Sequence, residues 1–171
     1  MRIWFDTEFW EDGRVVDLIS IGLVRADGAE FYAEVPNALE ICARDPWQLE
    51  HVAPHLLGGA AVMGRPEIAE SIRSFAGERP EFWAYNAPYD WIGLNQLYGR
   101  LMDRPQGWPK FCRDLRVLRD LVGNPEMPPQ DGDLHHALAD ALWNRQAHLF
   151  LEERYPLAAP EPASPDFTGP A

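Results

Sequence analysis

Apolar and polar positions alternate at the start of the chain and turn helical later. Residues 2–9 (RIWFDTEF) are aromatic and β-compatible and run into Glu11-Asp12-Gly13-Arg14, a turn sequence. Residues 15–25 (VVDLISIGLVR) form a second, mostly apolar strand. Ala26-Asp27-Gly28 turns the chain again, and residues 30–35 alternate as a third strand. The spacing then changes. Residues 46–57 begin with Pro46, place Trp47, Leu49, Val52 and Leu56 at helical intervals, and stop at Gly58-Gly59. Residues 66–76 open on a proline, carry acids in the first turn and close at Gly77, a second helix. A fourth strand is predicted over 81–86, a helix over 88–101, a Pro- and Gly-bearing loop over 103–109, and a short strand at 110–112. A helix over 114–122, a loop with three prolines over 123–133 and a final helix over 134–154 follow.

Strands first, then strands alternating with helices, predict an α/β domain with a mixed sheet. A three-strand antiparallel meander opens it, and helical crossovers bring later strands beside the first. Residues 1–154 form that one domain. Residues 155–171 contain five prolines and are expected to stay disordered.

Composition narrows the class. With 46% apolar and 25% charged residues, the chain suits a soluble globular domain, and it has no apolar run of membrane-spanning length. Asp6, Glu8, Glu11 and Asp12 interrupt any secretory leader. Two cysteines, Cys42 and Cys112, make no disulfide framework, which points to a reducing, cytoplasmic setting. A net charge of −12 excludes a basic nucleic-acid coat protein. It does not exclude a nuclease, because acids that hold cations form phosphate sites. Six basic side chains do cluster between Arg100 and Arg119, but Asp103, Asp114 and Asp120 lie among them. A solvated, ion-paired helix face is preferred there over a phosphate-facing strip.

Three local patterns carry candidate chemistry. In Phe5-Asp6-Thr7-Glu8-Phe9, strand alternation puts Asp6 and Glu8 on one face, where they must be hydrated, paired or bound to a cation. In Asn86-Ala87-Pro88-Tyr89-Asp90, an apolar strand ends and Asp90 falls in the first turn of a helix. A helix-terminus acid and a ligand at a strand's carboxyl end both fit that place. In His135-His136-Ala137-Leu138-Ala139-Asp140, Asp133 is a candidate helix cap, and His136 with Asp140 is an i,i+4 pair.

Together, D-x-E, then N-x-x-x-D, then H-x-x-x-x-D, the chain resembles the DEDDh exonucleases of the RNase-H-like superfamily. The matching positions are Asp6, Glu8, Asp90, His135 and Asp140. The His branch of that family spaces its histidine as H-x4-D, which selects His135 as general base and leaves His136 its neighbour. Asp-Thr-Glu-Phe, Glu11-Asp12-Gly13, Leu18-Ile19-Ser20-Ile21-Gly22, Pro109-Lys110-Phe111 and Met127-Pro128-Pro129 look like the small mycobacterial-type 3′→5′ exoribonucleases. The resemblance implies RNA 3′ ends as substrate, Mg²⁺ or Mn²⁺ as cofactor and a homodimer.

The chemistry explains the residue types. A phosphodiester is anionic and resists attack, and two divalent ions about 4 Å apart can hold it. Asp6 is expected to bridge both ions, Glu8 and Asp140 to complete one shell, and Asp90 to hold the other ion. Thr7 and Phe9 are candidate contacts for the terminal nucleotide, Asn86 for a phosphate, and Trp47 or Trp91 for base stacking. A DNA-directed exonuclease with the same acids and a catalytically silent nucleic-acid-binding module are the competing readings.

Overall fold

The computed structural model describes residues 1–130 and 134–156. At the middle of its five-stranded sheet lies β1 (Arg2–Glu11), pairing antiparallel with β2 (Val16–Arg25). β2 in turn pairs antiparallel with β3 (Glu30–Glu34). On its other side β1 runs parallel to β4 (Glu81–Ala84), and β4 runs parallel to β5 (Arg113–Asp114) at the edge. The order is β3-β2-β1-β4-β5, a mixed sheet. Parallel neighbours need crossovers. Three helices, α1 (Ala38–Cys42), α2 (Pro46–His51) and α3 (Arg65–Ala76), lie between β3 and β4. α4 (Pro88–Gln96) lies between β4 and β5, and α5 (Leu115–Leu121) and α6 (Ala137–Arg154) follow. No helix of the described residues is long and apolar enough to cross a membrane.

Alternation along β1 separates two cores. Ile3 and Phe5 join Ile68 and Ile72 of α3 and Leu94 of α4 on one face. Trp4 points the other way, to Leu115 and Leu118 of α5 and Leu151 of α6. Burying each of the larger of these side chains contributes roughly 1.5–3 kcal/mol. The odd residues of β1 therefore anchor the strand, and Asp6 and Glu8 share the side of Trp4.

The start of α6 lies hard against β2. Gly22 is the register partner of Asp6, and a Cβ there would overlap the backbone of Ala137 and Leu138. Glycine is required by this close approach. We expect Gly22→Ala to cost about 1–3 kcal/mol by pushing α6 off the sheet. Denaturant unfolding measures it, and an unchanged midpoint would show that α6 accommodates the extra methyl freely.

Several boundaries differ from the sequence expectation for identifiable reasons. α1 has five residues, too few to show a helical period. The helix expected over 46–57 ends at His51, and Ala53–His55 form a separate 3₁₀ turn containing Pro54, which has no N–H to continue the ladder. The helix expected over 88–101 ends at Gln96, before Gly99 at φ 106°. The short strand lies at Arg113–Asp114 rather than 110–112. The last helix starts at Ala137 rather than 134, because His135 is left-handed and His136 extended. Asp133, read as a possible cap, and residues 157–171 of the Pro-rich tail lie outside the described residues.

Candidate active site

One cleft of about 440 Å³ gathers the acidic positions. Asp6 and Glu8 reach it from β1, and Asp140 from the first turn of α6. One carboxylate oxygen from each of these three lies within 4.8 Å of the others. Asp90 arrives from the first turn of α4 and is buried, its Oδ1 accepting from the Thr7 N–H at 2.9 Å and the Thr7 hydroxyl at 2.7 Å. The ladder between β1 and β2 shifts register between Glu8 and Phe9. Such a bulge re-aims the side chains beside it, and Phe9 here stacks on Tyr89 with centroids 5.5 Å apart.

These carboxyls are held in an unfavourable field. Burial, then the charges of Asp90, Glu8 and Asp140, push the Asp6 carboxyl well above its ordinary range. Burial and the neighbouring Asp140 and Asp90 push Glu8 up to about 8. Asp90 is raised to about 6 by burial, against the two Thr7 hydrogen bonds that favour its anion. Burial also raises Asp140, opposed by the Gln130 amide, which donates to its carboxylate, and by His135. Like charges this close are stable together only with protons or cations between them. An all-oxygen donor set of this kind fits a hard divalent ion.

The cleft also receives Thr7, Phe9, Asn86 and His135. Asn86 and His135 both have positive φ, 57° and 65°. Strain of this kind concentrates at functional sites. At Asn86 it is held by Asp114, whose carboxylate accepts from the N–H groups of Asn86 and Ala87 at 3.2 and 3.1 Å. Trp47 lies beside the cleft, its ring edge-on to His135 with centroids 4.8 Å apart. Trp91, the other candidate for base stacking, is not brought to the cleft. Its ring packs into the core at 6.4 Å from Phe5 and 5.5 Å from Phe82.

Tyr85, Tyr89, Gln130, Leu134, Trp143 and Asn144 also line the cleft and were not singled out from sequence. Trp143 and Asn144 follow Asp140 by three and four residues, so helical spacing would have found them. Asn144 is buried and donates to the Phe5 carbonyl at 3.0 Å, tying α6 to β1. Gln130 lies in a proline-rich loop that offers no periodicity. The basic stretch is engaged locally: Arg100 pairs with Asp103, Arg113 with Glu81, and Arg116 with Asp120.

The family described as the 3'-5' exoribonuclease Rv2179c-like domain matches residues 1–151. Two Mycobacterium tuberculosis proteins are similar: 3'-5' exoribonuclease Rv2179c (strain ATCC 25618 / H37Rv) and 3'-5' exoribonuclease MT2234.1 (strain CDC 1551 / Oshkosh). Each is 39% identical over 147 residues, covering 82% of this chain and 87% of the relative.

Proposed function

The chain belongs to the 3'-5' exoribonuclease Rv2179c-like domain family, and on that premise we propose that it is a divalent-metal-dependent 3′→5′ exoribonuclease releasing nucleoside 5′-monophosphates. The observation that carries this reading is the convergence of Asp6, Glu8, Asp90 and Asp140 on one cleft together with His135. The catalytic unit is residues 1–154, a reading supported by the match to 1–151. The mixed five-stranded sheet flanked by helices supports an RNase-H-like fold.

Asp6, Glu8 and Asp140 would hold one divalent cation, and Asp6 with Asp90 would hold a second. When bound, two Mg²⁺ or Mn²⁺ ions offset the phosphodiester's charge and make water a better nucleophile near neutral pH. His135 takes the proton from the attacking water, the general-base role that an imidazole nitrogen can fill. Thr7 fixes the Asp90 carboxylate through its two hydrogen bonds. Phe9, stacked on Tyr89, gives the terminal nucleotide an apolar wall. Asn86 offers its amide to a phosphate oxygen. The wall supports removal of single terminal residues rather than internal cleavage.

End-labelled RNA and DNA oligonucleotides, incubated with Mg²⁺, Mn²⁺ or EDTA, test the proposal. Mononucleotides are expected from the RNA 3′ end with either metal, and none in EDTA. Equal turnover of DNA would move the substrate assignment to DNA ends. RNA bound but never cleaved would leave a binding module as the better account.

A further inference from the structure

Resting on the assignment of His135 as general base, we propose that Trp47 and Tyr32 are positioning residues that clamp the His135-His136 segment, one ring against each imidazole. His135 is left-handed at φ 65°, and His136 is extended at φ −116° and ψ 109°. This change of hand sends the consecutive imidazoles to different neighbours. His135 meets the Trp47 ring of α2 at 4.8 Å, with the planes 78° apart. His136 stacks on the Tyr32 ring of β3 at 4.5 Å, with the planes 18° apart.

Both clamp rings are themselves held. Trp47 is backed by His51, one turn on in α2, stacked at 4.7 Å, and His51 Nδ1 lies 2.8 Å from the Trp47 carbonyl. The Tyr32 hydroxyl donates to the buried Glu34 carboxylate at 2.9 Å. Glu34 also accepts from the Leu57 and Gly58 N–H groups at 2.5 and 3.1 Å, so the ring is tied to a fixed loop. His136 in turn caps α6, its Nδ1 accepting from the Ala139 N–H at 3.3 Å. One histidine thus sets the start of the helix that carries Asp140, while the other faces the cleft.

The arrangement matters because a left-handed non-glycine residue persists only where its surroundings over-determine it. Freed from Trp47, His135 gains access to the ordinary backbone regions, and its imidazole leaves the cleft for part of the time. Asp6, Glu8 and Asp90 keep their positions on β1 and α4, and His136, still stacked on Tyr32, still caps the helix that carries Asp140, so substrate and cation binding survive while proton transfer suffers. Trp47 is 47% exposed, so its removal leaves both hydrophobic cores intact.

The test is steady-state kinetics on a short single-stranded RNA for Trp47→Ala, Trp47→Phe, Tyr32→Leu and Tyr32→Phe, each alone and combined with His135→Ala. Trp47→Ala and Tyr32→Leu are expected to lower kcat roughly 10- to 100-fold with KM unchanged, as small misplacements of a reacting group do. The two phenylalanine variants keep a ring in place and recover most of the rate. In the His135→Ala background Trp47→Ala causes no further loss, because the group it positions is gone, whereas Tyr32→Leu still lowers kcat through His136 and the start of α6. A raised KM with intact kcat for Trp47→Ala would make that ring a base-stacking platform and overturn the clamp. Fully additive losses of Trp47→Ala and His135→Ala overturn it too. If His135→Ala lowers kcat but Trp47→Ala and Tyr32→Leu do not, the clamp alone fails. An unchanged kcat in His135→Ala overturns the base assignment first, and the clamp with it.

Discussion

Asp6→Asn abolishes release of nucleotides from RNA 3′ ends, and the same variant, stripped of metal, unfolds at a higher temperature than its parent. Both results have one origin. The Asp6 carboxyl is raised by burial and by the charges of Asp90, Glu8 and Asp140, so ionising it in the folded state is costly. An amide of the same shape removes that cost and, with it, the shared cation ligand. The sign follows from linkage. Raised carboxyl pKa values mean that the folded chain binds more protons than the unfolded one, so stability falls as pH rises. For the metal-free parent the fall begins in the ordinary carboxyl range and continues to about 8, where Glu8 titrates. In Asp6→Asn the fall is shallower. Thermal unfolding in EDTA from about pH 5 to about pH 9 measures it. Retained turnover would remove Asp6 from the active centre, and an unchanged unfolding profile would show that its charge is relieved in the free protein.

His135→Ala slows kcat by about 10²–10⁴-fold, the usual worth of a general base, which is a barrier increase of about 3–5 kcal/mol. KM and cation affinity stay near the parent values, because none of the four carboxylates is touched. The Asp140 carboxylate loses the neighbouring imidazole, but it keeps the Gln130 amide. The separation from Asp6→Asn is therefore qualitative: one variant binds cation and turns over slowly, the other does neither. Calorimetry with Mn²⁺ alongside single-turnover rates makes the comparison. A His135→Ala variant that lost cation binding would assign the histidine to the metal shell instead.

The parts of this structure that were legible in the chain are those decided locally. Alternation over β1 placed Asp6 and Glu8 on one side of the strand, and turn residues at Asp12-Gly13 and Asp27-Gly28 marked the first two strand connections. Pro88 opening α4 put Asp90 in a first turn. What escaped depends on contacts distant in sequence. Trp47 and Trp91 are both aromatic side chains on short helices, and nothing local separates them. Phe5 and Phe82 cover one, while α2 leaves the other beside His135. The left-handed backbone of His135 is equally invisible, since the residue is not a glycine and its ring meets Trp47 of α2, distant in sequence. Pro54 was a readable breaker inside an apparently continuous helical pattern, and its missing N–H accounts for the early end of α2.

The connectivity of the cleft has a consequence for how the protein is made. Among the described elements, β1 with Asp6 and Glu8 comes first in the chain, whereas His135 and Asp140 belong to the segment that opens α6, which comes last. A nascent chain on the ribosome thus carries two acids, later three, before His135 and Asp140 are made. It also lacks the helix whose Asn144 side chain hydrogen-bonds to β1. An RNA-degrading centre built in this order is incomplete until the segment that opens α6 has been made.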